Sequence, residues 1–127
     1  MTTWNLTGTK HHVLICNGSS CMRKGGEEVT QAIRDEIKRL NLDEQIHTTR
    51  TRCNGRCKDA CIVIAYPEGT WYKVASPEEG RNIITEHLAD GKVIEDSVIY
   101  QFGDEGMIAS SYEGFHEGIS KMEKAGK

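Results

Sequence analysis

Apolar and polar positions along the chain alternate between two periods, and the changes of period mark strands and helices. His11-His12-Val13-Leu14-Ile15-Cys16 is a short apolar run ahead of a turn-rich segment, as in a buried strand that delivers Cys16 to its tip. From Glu27 to Leu40, Val29, Ala32, Ile33, Ile37 and Leu40 recur at helical spacing, with Arg34, Asp35, Lys38 and Arg39 on the other face. Asn41-Leu42-Asp43-Glu44 breaks that period. Ile46 to Arg52 then alternates and is rich in β-branched residues, predicting a second strand that runs into Cys53. Ile62 to Tyr66 and Trp71 to Val74, joined by a Pro/Gly turn, read as a β-hairpin. In Ser76-Pro77-Glu78-Glu79, Ser76 suits an N-cap and Pro77 the first helical position. Ile83, Ile84, His87 and Leu88 form the apolar face of this second helix, and Asp90-Gly91 its stop.

These elements predict an α/β (α+β) domain of order β-α-β then β-β-α, with a central four-stranded mixed sheet and two main helices. Val93-Ile94 and Val98-Ile99-Tyr100 form a weaker apolar patch, an extension strand or a dimer contact. From Phe102 onward glycines and charges follow no sustained period, predicting a loosely held tail with one helical turn near Ile119 to Met122. The expected organisation is a polar leader over 1–9, one domain over 10–102 and a tail over 103–127.

Composition narrows the class. The chain has 127 residues, 37% of them hydrophobic and 28% charged, which suits one globular domain. A formal net charge of -3 gives no support to general nucleic-acid binding. No apolar run approaches membrane-spanning length, and the first ten residues lack the apolar core of a secretory signal, so a cytoplasmic location is expected. In a reducing compartment, clustered cysteines are metal ligands or redox catalysts more often than disulfides, and an odd count of 5 argues against a simple disulfide framework.

Those cysteines carry the candidate chemistry. Cys16 and Cys21 are spaced C-x4-C, Cys53 and Cys57 C-x3-C, and Cys61 is left over. Thiolates are soft ligands that select zinc, copper(I) or iron–sulfur clusters. Structural zinc sites favour two C-x2-C knuckles, and thiol redox catalysts want C-x-x-C at a helix start; neither spacing occurs here. A two-iron cluster takes two thiolates per iron, which two loops with one pair each can supply. The anionic cluster also needs positive charge and free amides. Arg50, Arg52, Arg56 and Lys58 surround the second pair, and Gly18 and Gly55 let backbone N–H groups approach sulfur. The same four cations form a candidate docking patch for an acidic redox partner. A zinc clip and a thiol redox protein remain alternatives at this point. Cys61 reads as a small buried residue at a strand start, with a ligand role the less favoured option.

The order strand, C-x4-C, helix, then C-x3-C leading into Ile62-Val63-Ile64-Ala65-Tyr66-Pro67-Glu68-Gly69 and Trp71-Tyr72, then a capped helix, resembles the thioredoxin-like [2Fe-2S] ferredoxin family, which includes the small iron–sulfur subunit of NADH dehydrogenases and NAD-linked hydrogenases. The resemblance covers Lys10 to Val98. It implies a thioredoxin-like fold, one [2Fe-2S] cluster per chain on Cys16, Cys21, Cys53 and Cys57, one-electron transfer between redox proteins, no substrate-converting site, and homodimers. It leaves open a role as an accessory or sensor subunit of a larger oxidoreductase or biosynthetic complex. One departure is Cys61, where relatives commonly carry proline.

Overall fold

The computed structural model describes residues 2–111 and 115–122. The first expected strand is β1 (His11–Cys16) and the second β2 (Ile46–Thr51). The hairpin is β3 (Ile62–Tyr66) with β4 (Thr70–Lys73). Between β1 and β2 come two helices rather than one, α1 (Ser19–Arg23) and α2 (Gly26–Arg39). After β4, α3 (Pro77–Asn82) continues as a π-helical stretch, Ile83–Ala89. Two more strands follow, β5 (Val98–Gly103) and β6 (Gly106–Ala109), so the sheet has six strands in the order β2-β1-β3-β4-β5-β6 where four were expected.

The extension reading of Val98 to Tyr100 therefore holds, and β6 enters the stretch expected to be a loose tail. That hairpin escaped the pattern because β6 is exposed at Met107, Ile108 and Ala109 and has no buried face to impose alternation. Of the helical turn expected near Ile119, Lys121 and Met122 are helical. The rest of the expected tail, 112–114 and 123–127, lies outside the described residues.

β1 pairs with β2 in parallel, Cys16 opposite Thr51, and antiparallel with β3, Ile15 opposite Val63. Parallel neighbours end at the same edge of a sheet, so the loop after β1 and the loop after β2 emerge side by side, and the start of β3 joins them there. This topology places all the cysteine-bearing segments at one end. Asn17 N–H continues the ladder to Thr51 O at 2.7 Å, and Cys61 pairs with Val74 in both directions, at 3.1 and 2.8 Å.

Val29, Ile33 and Ile37 on α2 are buried with Val13, Ile15 and Val63 from the sheet. α3 comes close at Gly80, where a Cβ would stand 3.2 Å from the side chains of Ile33 and Val29. Ser76 caps α3 as expected, its hydroxyl accepting Glu79 N–H at 3.3 Å. Buried Tyr72 and His87 join hydroxyl to Nδ1 at 2.8 Å, while the Tyr72 oxygen accepts Ile94 N–H. Burial holds His87 below its ordinary value, which favours the neutral ring in this contact, and the ring's tautomer sets which partner donates.

Glu36 ties the two main helices together. It accepts the Thr85 hydroxyl at 2.5 Å and both Arg39 nitrogens, with its own side chain 7% exposed. These bonds, Arg39 first, lower its pKa from 4.5 to about 2. A folded value below the unfolded one means that the stabilisation is complete above about pH 4.5 and is lost as pH falls toward about 2. Glu36→Gln is expected to flatten that acid limb in urea unfolding measured across pH. Arg39 is 65% exposed and its pair is screened, so the cost at neutral pH is about 1–2 kcal/mol.

Candidate metal centre

The two cysteine loops face each other across one pocket lined by Cys16, Cys21, Cys53 and Cys57, with Gly18, Arg56 and Ile62 between them. Cys16 is the last residue of β1, and Cys21 lies on the inner side of α1, a five-residue helix too short to show a period in sequence. Both are buried. Cys53 and Cys57 flank a loop after β2 and are exposed, their sulfurs 3.4 Å apart. Cys16 and Cys21 also contact each other. Burial first, then that hydrogen bond to Cys16, pushes the Cys21 thiol up to about 12. The donors are thus two touching pairs, one inside and one at the surface.

Backbone approach matches the expected need for small residues. A Cβ on Gly18 would fall 2.7 Å from Cys53 N and 2.8 Å from Cys53 Cα, so only glycine lets the two loops close to this distance. Gly55, at φ +81°, sends its N–H to Cys53 Sγ at 3.3 Å. The N-terminus of α2 does not line the pocket. α1 intervenes, and at the start of α2 Gly26 lies against the carbonyl oxygens of Cys21 and Cys16.

Cys61 stands outside the pocket. It is fully buried, follows a cis Ala60–Cys61 peptide, and its thiol donates to the carbonyls of Cys21 at 3.3 Å and Lys24 at 3.6 Å. Burial raises this thiol as well. These contacts are those of a packing residue behind the pocket.

The four cations differ in ways their spacing does not show. Arg52 and Lys58 are exposed beside Cys53 and Cys57. Arg50 pairs with Glu27 at 2.5 Å across a half-exposed surface. Arg56 is a correction to the docking patch: its side chain is 10% exposed and turned inward onto Asp59, which is 1% exposed. The Arg-x-x-Asp spacing was the available signal for that pair. His12 bonds Thr49 at 2.7 Å and His11 contacts Glu68 at 2.8 Å, neither lining the pocket. Among the described residues no three of His, Cys, Asp and Glu are arranged around a single ion.

The sequence model of the family described as thioredoxin-like [2Fe-2S] ferredoxin matches residues 3–88. The chain belongs to this family. A Priestia megaterium protein, whose name places it among 2Fe-2S ferredoxins, is 57% identical over 96% of this chain and 95% of its own. A 2Fe-2S ferredoxin of Aquifex aeolicus is 32% identical over 76% of this chain and 95% of its own. The solved structure of a thioredoxin-like [2Fe-2S] ferredoxin from Aquifex aeolicus superposes with a TM-score of 0.68 at 29% identity, covering 79% of this chain and 99% of that one. The fold is therefore thioredoxin-like, and the cofactor of the family is one [2Fe-2S] cluster. The donor set fits that group: soft thiols, paired two and two, around one pocket.

Proposed function

We propose that Cys16, Cys21, Cys53 and Cys57 hold the [2Fe-2S] cluster and that the chain is a one-electron carrier between redox proteins, exchanging electrons across its Cys53–Cys57 side. The observation that carries this reading is the asymmetry of the pocket, with one thiol pair buried and the other at the surface. When bound, the cluster supplies a one-electron redox couple. The chain's own residues do the rest. The buried pair fixes the inner edge, Gly18 sets the separation of the loops, and the Gly55 N–H bonded to Cys53 Sγ draws charge from that sulfur. Arg52 and Lys58 form the outward positive rim that attracts an acidic partner, a local field that the net charge of -3 does not cancel at short range. Cysteines used without a disulfide suit the cytoplasm, and the family resemblance suggests a homodimer.

The purified protein is expected to contain about two iron and two labile sulfide per chain and to give a paramagnetic signal only after uptake of one electron. Zinc alone would sink the proposal. Arg52→Glu combined with Lys58→Glu should slow reduction by anionic dithionite several-fold at low salt, and the difference should fade by about 0.5 M salt. Equal stopped-flow rates would remove the docking assignment.

A further inference from the structure

The side chain of Arg56, between the third and fourth cysteines, is held on every side. Asp59 accepts its Nε at 2.8 Å and its Nη2 at 2.7 Å. Nη2 also donates to the carbonyl oxygen of His116 at 2.5 Å. The guanidinium carbon lies 5.2 Å from the ring centre of Tyr100 and 5.0 Å from that of Phe115, and the two rings meet edge to face at 5.7 Å. A Cβ at Gly118 would approach Arg56 Nη1 to 3.5 Å, so the chain passes directly over the group. A planar fork that bonds in its plane while its faces stack on rings is a property of arginine that lysine lacks.

Tyr100, Phe115 and His116 lie beyond residue 88, where the family match ends. The loop carrying two of the four cysteines is therefore held by a part of the chain outside the matched family core. Because Asp59 is in contact, the Arg56–Asp59 pair is close to neutral as seen from the pocket. Arg56 thus adds little positive potential there, and its contacts bear on the position of the loop.

We propose that Arg56 is a positioning residue that clamps Tyr100 and residues 115–118 against the Cys53–Cys57 loop, and that this clamp sets the lifetime and reduction potential of the cluster. The proposal rests on the assignment of Cys53 and Cys57 as ligands. The test uses full-length Arg56→Lys, Phe115→Ala and the double variant, read by the rate at which a chelator bleaches visible absorption and by the midpoint potential from dye titration. Circular dichroism and the urea midpoint monitor the fold.

Each single variant is expected to bleach about 10-fold faster, as when a group supporting a metal ligand is lost. Their potentials should move upward together, because water reaching the loop favours the more negative reduced state. The double variant should resemble either single one, since both remove the same clamp. Unchanged bleaching and potential would overturn the proposal, as would effects confined to Arg56→Lys or effects that add. Purified protein containing zinc alone would instead reject the cluster reading. The clamp is then read by tryptic cleavage after Lys121, which should quicken in Phe115→Ala and Arg56→Lys; equal cleavage rates would overturn it.

Discussion

Cys57→Ala is expected to abolish the visible absorption and the one-electron paramagnetic signal, while Cys61→Ser keeps both. Cys57 faces the pocket 3.4 Å from Cys53 at the exposed edge, and alanine leaves no donor atom there, whereas a serine oxygen can itself bind iron. Cys61 is the one spare thiol in the chain, and its position bars it from replacing Cys57. It is fully buried at the entry to β3, anchored by backbone bonds with Val74 and by its thiol on the carbonyls of Cys21 and Lys24. Moving it to the surface edge would break that ladder. Serine in its place can give its proton to the same carbonyls, so Cys61→Ser leaves no buried donor without an acceptor. Iron and sulfide counts on both variants check the result. A cluster retained in Cys57→Ala and lost in Cys57→Ala/Cys61→Ala would show that Cys61 substitutes after all.

Ile33→Ala should cost about 2–5 kcal/mol, a large share of the stability of a domain this size. Ile33 is fully buried on α2 and faces the sheet core, and Gly80 lets α3 approach it to van der Waals distance. Two helices and a sheet meet at this side chain. The surrounding strands are locked by their ladders and cannot close around the hole, which puts the cost toward the upper part of that range. Urea unfolding should show a lower midpoint with an unchanged slope. The cysteine loops lie at the sheet end, so the visible spectrum of the folded variant should stay unaltered. A spectrum lost before the fold is lost would mean that the core and the loops are coupled more tightly than their separation indicates.

Much of the site and its scaffold was legible in one dimension, for physical reasons that differ by element. β1, β3 and α2 bury one face or both, so sterics and burial write their period into the order of residues, while the start of α3 was legible from its cap, Ser76 followed by Pro77. The cysteine pairs were legible because local spacing limits what two loops can hold. α1 was not, since five residues with one buried side chain carry no period. β6 was not, since an exposed edge strand makes no demand on its side chains.

The sequence by itself determined the order of the main elements, the two thiol pairs and the family. Tertiary structure alone decided that the loops after β1 and β2 meet, because that follows from parallel pairing of strands about thirty residues apart in the chain. It also decided which cations are available. Arg52 and Lys58 point to water, while Arg56 is claimed by Asp59, Tyr100, Phe115 and His116. A long cationic side chain goes where its charge can be paired and its planar head can stack on rings, and here those partners arrive from as far as 60 positions along the chain.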